Sequence, residues 1–202
     1  MNKKGLTAIV IVFVVLLIDQ VSKIYIKTSM HLEESFPVFG KWFYIHFTEN
    51  PGMAMGLEWG GVAGKYALSG FRIIAIIVIS YYIYTWVKKK AHTGFIAAMS
   101  LILAGAAGNI FDSLFYGLVF TKSTIFDIAT AFSPEGGYTT FMQGKVVDML
   151  YFPMFYMPEW VPMLGGHNFF PYIFNVADAA ISVGVVIIII FQKKFFVEEK
   201  VV

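Results

Sequence analysis

No cysteine occurs among the 202 residues, and that absence alone excludes disulfides, thiolate metal sites and cysteine nucleophiles. Charge is scarce as well: Asp, Glu, Lys and Arg together make up 14% of the chain, and the formal net charge is only +2. So small an excess gives no handle on nucleic acid, and no nucleic-acid partner is expected. Histidine is limited to His31, His46, His92 and His167, each without a second ligand at helical spacing, so no metal is expected. A nucleotide-binding glycine motif is also missing, which leaves no cofactor to expect. What remains is apolar: 58% of the residues are hydrophobic and the mean hydropathy is +0.71. Soluble domains hold roughly 45–50%. The sequence therefore predicts an integral membrane protein.

Four stretches are long and apolar enough to cross ~30 Å of hydrocarbon: residues 5–25, 66–87, 94–116 and 172–191, approximately. The first follows "MNKK" as a signal peptide would, but "DQVSK" succeeds it without a small-residue cleavage pattern, so it is expected to stay as a helix. Lys3 and Lys4 precede span one, Lys88 to Lys90 fill the turn between spans two and three, and Lys193 and Lys194 follow span four. All three clusters fall on one side, which the positive-inside rule makes cytoplasmic, together with both termini. Segments of about 26–65 and 117–171 then face outward. "KWFYIHFTEN" in the first has strand-like composition, and "SPEGGYTT" in the second reads as a turn region. The expected fold is a single membrane domain over 1–202, all-α with a small β element, its outer part including a strand-rich cradle.

Several polar side chains interrupt the spans, although a charged residue near the bilayer centre costs at least ~2.5 kcal/mol. At 1.5 Å per residue, Asp19 lies ~9 Å inside the outer end of span one, Asn109 and Asp112 ~10 and ~6 Å inside that of span three, and Asp178 ~9 Å inside that of span four. "NIFD" and "NVAD" each space Asn and Asp three apart, so Asn109 with Asp112, and Asn175 with Asp178, share a helix face. Asp19 and Lys23 sit at i and i+4. Small residues in "LAGAAGN" would let span three approach a neighbour closely. Read blandly, such groups are interhelical hydrogen bonds worth ~0.6 kcal/mol each, and for Asp19, Lys23, Asn109 and Asp112 a structural role is the expectation. Asp178 is different, because several carboxylates converging at one depth from different helices resemble a site. Asp148, in "GKVVDML" outside the spans, would by itself be an ordinary loop carboxylate.

Without cysteine or a metal cluster, hydrolysis needs a hydroxyl nucleophile with a base, or two carboxylates. Ser100 and Ser182 lie in spans with no His or Lys beside them in sequence. Two aspartates sharing a proton fit better, one as general base toward water and the other, protonated, polarising a carbonyl and donating to the leaving amine. A small proton- or ion-coupled transporter is the alternative, since intramembrane Asp and Asn also line ion pathways. A catalytically silent scaffold is a third reading.

Taken together, the motifs resemble those of the lipoprotein signal peptidase family, signal peptidase II, over nearly the whole chain. "DQVSK" (Asp19, Gln20, Lys23) matches the family's Asp-Gln-x-x-Lys, and "NPGMA" (Asn50, Gly52, Ala54) its Asn-x-Gly-x-Ala. "GNIFD" (Gly108, Asn109, Asp112) matches Gly-Asn-x-x-Asp, and "FNVAD" (Phe174 to Asp178) matches Phe-Asn-x-Ala-Asp. The family follows its third motif with Arg and then Gly-x-Val-x-Asp. Here Ser113 stands in place of the Arg, and Gly117 and Val119 are followed by Thr121 where Asp is expected. The pattern recurs complete at "GKVVD" (Gly144, Val146, Asp148), with residues 118–143 read as an insertion; Asp127 in "STIFDIAT" is the competing position.

The resemblance implies an aspartyl endopeptidase of the bacterial cytoplasmic (inner) membrane, with its active site near the outer face. Its catalytic residues would be Asp148 and Asp178, supported by Asn50, Gly52, Asn109, Asp112, Asn175, Asp19 and Lys23. The implied substrate is a prolipoprotein cut just before a cysteine carrying diacylglycerol; membrane lipid is the other partner, and a monomer is expected. The segment around Asn50 would cradle substrate, and the insertion is expected to be a mobile flap.

Overall fold

The structure, a computed structural model, describes residues 2–51, 61–161 and 165–196. Helices α1 (Lys3–Ser29), α2 (Gly61–Lys88), α3 (Thr93–Phe111) and α5 (Val176–Phe195) carry the apolar runs. Helix α3 continues through a π-helical turn, Asp112–Tyr116, into the short α4, Gly117–Val119. The four apolar stretches are each long enough to cross a membrane, the third running Thr93–Val119. Strands β1 (Ser35–Phe39), β2 (Phe43–Asn50), β3 (Val146–Tyr151) and β4 (Ile173–Phe174) form one antiparallel sheet in the order β1-β2-β3-β4. "KWFYIHFTEN" is therefore a strand from Phe43 onward, as its composition indicates.

The last helix starts later than hydropathy suggests. Residues 173–174 pair with β3 instead of beginning α5, because an apolar Ile-Phe run suits a strand as well as a lipid-facing helix. Asp178 consequently lies in the first turn of α5, about 3 Å along the helix from Val176.

By compactness the chain divides into two units: Met1–Gln20, Ala67–Ile110 and Val176–Val202 make the first, Val21–Tyr66 and Phe111–Asn175 the second. In the first unit Ala8, Ile83 and Ile96 form a buried cluster. Residues such as Phe13, Ile74 and Ile190 stay exposed on the helix surfaces, which suits contact with lipid. Helices α3 and α5 meet at small residues, and a Cβ on Gly105 would lie 2.2 Å from the carbonyl oxygen of Ala177. At one end of this unit, the Lys4 ammonium donates to the carbonyls of Lys90 and Ala91, at 2.8 and 2.7 Å. His92 there packs on Phe195, with ring centroids 5.1 Å apart. The lysine-rich N-terminus, the 88–90 turn and the end of α5 thus gather together.

The second unit is built on the sheet. Phe47, Val147 and Met149 pack with Ile26 and Met30 of α1, with Tyr116 of the π turn and with Phe120 and Ala129. Alongside them an aromatic row runs from Phe43 through Phe152 to Phe174, with centroids 4.5 and 5.7 Å apart. Trp42, half exposed, stacks at its edge.

Candidate functional site

Asp148 is not in a loop. It lies in β3 and is 4% exposed; β2 pairs with it directly, and β4 flanks the same strand further along, at Leu150 and Tyr151. Register decides its neighbours. Thr48 is directly opposite on β2, which puts Asn50 on the same face, and the Asn50 amide donates to Asp148 Oδ2 at 3.3 Å. The β3–β4 pairing of Leu150 with Phe174 leads the chain straight to Asn175, which is fully buried. Its amide donates to Asp148 Oδ1 at 2.6 Å and to the Val147 carbonyl at 3.3 Å. Two residues of different motifs, far apart in sequence, therefore hold one carboxylate.

Beneath this edge Lys23 and Asp112 form an ion pair at 2.8 Å with no exposed side-chain surface on either. Asp112 opens the π-helical turn, and its Oδ2 also accepts from the Val147 backbone N–H at 3.3 Å. The widened turn thus delivers a carboxylate to the residue next to Asp148.

In the first unit, Asp178 Oδ1 accepts a 2.8 Å hydrogen bond from the Asn109 amide on α3. The only arginine of the chain, Arg72 on α2, interacts electrostatically with Asp178. Asp19 has a different task. Its Oδ1 accepts from the backbone N–H of Ala177 at 2.9 Å, capping one of the donors that a helix start leaves unsatisfied. Gln20 donates to Asp19 and to the Gly108 carbonyl. Gly52 and Ala54 fall outside the described residues.

Residues 118–143 are tied down along their length. Phe132 N–H donates to the Val119 carbonyl, Thr121 to Thr130, Tyr138 to Phe120, Thr139 to Gly117 and Met142 to Leu114, all at 2.7–3.3 Å. These are the ties of a packed segment. Gly144 N–H then reaches the Ser113 carbonyl at 2.9 Å, and a Cβ there would lie 2.2 Å from the Asp112 carbonyl oxygen and 3.0 Å from Gly117 N. The chain leaves at Gly117 and comes back beside it. Within the segment Asp127 is exposed and engaged in its own turn, accepting from Thr124 Oγ1 at 2.9 Å.

Four charged residues, Lys27, Glu49, Lys145 and Arg72, escaped the sequence reading. Lys27 and Glu49, both almost fully buried, are paired, and Lys145 approaches the other Glu49 oxygen at 3.3 Å. Burial by itself would raise the Glu49 carboxyl. The charge and hydrogen bond of Lys27, with help from Ser123 and Lys145, hold it below the ordinary glutamate range instead. Burial pushes the nearby Tyr138 phenol above the usual tyrosine range, and its oxygen accepts from the Lys145 N–H at 2.6 Å. Arg72 could have been noticed as the sole arginine inside an apolar span. Lys27 and Glu49 carried no such signal, since both stand near helix and strand ends where charge is commonplace.

The family model described as signal peptidase (SPase) II matches residues 11–194. A lipoprotein signal peptidase of Porphyromonas gingivalis is 44% identical over 192 residues, covering 93% of this chain and 83% of that one. One from Amoebophilus asiaticus is 34% identical, covering 94% and 79%. A solved structure described as a bacterial membrane enzyme, determined by the in meso method at 2.3 Å, superposes with a TM-score of 0.61 at 28% identity, over 97% of this chain and 94% of that one.

Proposed function

The chain belongs to the signal peptidase II family of lipoprotein-processing membrane proteases, and from that membership we propose that it is an aspartyl endopeptidase acting through Asp148 and Asp178. Its substrate is a prolipoprotein, cut immediately before a cysteine that carries diacylglycerol. The protein lies in the bacterial cytoplasmic membrane with both termini inside, works near the outer face and acts as a monomer.

One observation carries the choice of carboxylates: Asn175, whose amide holds Asp148 at 2.6 Å, stands three residues ahead of Asp178 in the same "FNVAD" motif. The other aspartates have structural employment. Asp112 is paired with buried Lys23, Asp19 caps α5, and Asp127 is exposed in its own turn. The contact of Gly144 with Gly117 supports reading residues 118–143 as an insertion, so that "GKVVD" resumes the interrupted motif and Asp148 takes its aspartate position.

In the reaction one carboxylate takes a proton from water while the oxygen attacks the peptide carbonyl carbon. The other, protonated, donates a hydrogen bond to the carbonyl oxygen and stabilises the negative charge that develops there. Proton transfer to the leaving nitrogen then breaks the C–N bond, freeing the amino group of the lipidated cysteine and the signal peptide's carboxyl. Water is added across one bond, and neither metal nor redox partner takes part. Asn175, Asn109 and Asn50 orient the two carboxylates, since neutral amides can fix their direction without neutralising them.

Purified protein mixed with a diacylglyceryl-modified precursor should release a shortened product by gel shift and mass, at the same rate with and without EDTA. Asp148→Asn and Asp178→Asn should each lower kcat by about three orders of magnitude or more with binding retained, while Asp127→Asn cleaves normally. Normal turnover by Asp148→Asn with loss in Asp127→Asn would reassign the second aspartate.

A further inference from the structure

The Lys27–Glu49 pair is an unusual thing to bury in a small sheet. The Lys27 ammonium faces Glu49, donates to the Ser123 hydroxyl at 2.9 Å, and lies 5.5 and 5.1 Å from the ring centroids of Phe120 and Tyr138. Ser123 also donates to Glu49 at 2.8 Å. Phe120, Ser123 and Tyr138 all come from residues 118–143, so that segment closes the cage. If stability were the only result, apolar side chains of similar volume would do at least as well, because a buried pair scarcely repays its desolvation.

What the pair can fix is register. Pairing between β2 and β3 is irregular between Ile45 and Thr48, where β2 carries one more residue than its partner. Beyond that bulge Thr48, Glu49 and Asn50 face Asp148, Val147 and Val146. A slip of one residue would turn Asn50 away from Asp148, since side chains alternate between faces. Glu49 lies between Thr48 and Asn50 and points the opposite way, into the cage. A carboxylate gripped by two lysines and a hydroxyl tolerates no such slip.

We infer that Lys27 and Glu49, completed by residues 118–143, are positioning residues for catalysis: they lock the end of β2 so that Asn50 keeps Asp148 in its working orientation. This rests on the reading of Asp148 as catalytic. It assigns the segment a buttressing role, exerted from the sheet face opposite Asp148.

The test compares full-length variants in lipid, on a precursor peptide bearing a diacylglyceryl cysteine. The double variant Lys27→Met/Glu49→Leu removes both charges and is expected to fold, with kcat reduced about 10-fold or more, toward the ~10²-fold that small misplacements cost, and KM within about 3-fold of wild type. Asn50→Ala should show the same split, and adding it to the double variant should lower kcat little further, because both act on one contact. Lys27→Arg, which keeps the charge, should retain most turnover. Ser123→Ala, which leaves the pair in place, covers the case in which the double variant does not fold, and should lower kcat several-fold at unchanged KM. Near-normal kcat in the folded double variant or in Ser123→Ala, or losses that multiply fully with that of Asn50→Ala, would overturn the inference. Asp148→Asn is measured in parallel: if it is active, the underlying reading falls; if it is inactive while the double variant runs at full speed, only the positioning role falls.

Discussion

Lys23 and Asp112 present no side-chain surface to solvent, so neither can be altered alone without stranding the other's charge. Lys23→Met should cost about 3–5 kcal/mol of stability, the usual result of breaking a buried pair, and appear as a lower melting temperature and folded yield with residual turnover in what folds. Glu49 carries a pH dependence of definite sign. Its carboxyl is held below the ordinary value, 4.5, so the folded state binds that proton more weakly than the unfolded chain does. The stability it contributes is present above that value and is lost as pH falls through the lower, folded-state pKa. Thermal melts between about pH 6 and pH 3 should show wild type losing stability toward acid more steeply than Glu49→Gln, which is already weakened at neutral pH. Parallel slopes would show that Glu49 is not the group responsible.

At the level of elements, the meeting of α3 with α5 depends on the absence of a side chain. Gly105→Val would drive carbon into the Ala177 carbonyl and should destabilise on the order of 3 kcal/mol, while Gly70→Ala on α2, with nothing within 4 Å, should be neutral; melts of the two in detergent check this. The four apolar helices were legible because runs of that length have few other uses, and β2 was legible from its aromatic and β-branched residues. Element ends were not. Ile173 and Phe174 are as good in a strand as in a helix, and only the presence of β3 decides between them. The polar residues Asp19, Asn109, Asp112, Asn175 and Asp178 were legible because polarity is conspicuous in an apolar run. Lys27 and Glu49 were invisible, because their burial is created by residues 118–143, whose folding no local pattern announces.

For the whole molecule, the lysine clusters supply the prediction. Lys4, the 88–90 turn and the end of α5 gather at one end of their unit, and the positive-inside rule predicts that this end faces the cytoplasm. Because the chain has no cysteine, single substitutions report cleanly: a cysteine at Gly137 should react with an impermeant thiol reagent in intact cells, and one at Lys89 only after permeabilisation. The reverse pattern would invert the topology. A different kind of consequence follows from the contact between Gly117 and Gly144. A stretch of chain whose two ends touch can be gained or lost in one genetic event without displacing what flanks it. Lys27 and Glu49 would then lose their company at a stroke, the ammonium keeping neither the Ser123 hydroxyl nor the Tyr138 ring. Related chains that lack the stretch should therefore carry uncharged residues at both positions together, and those that keep it should keep both charges, so that two sites and a length polymorphism are inherited as one character.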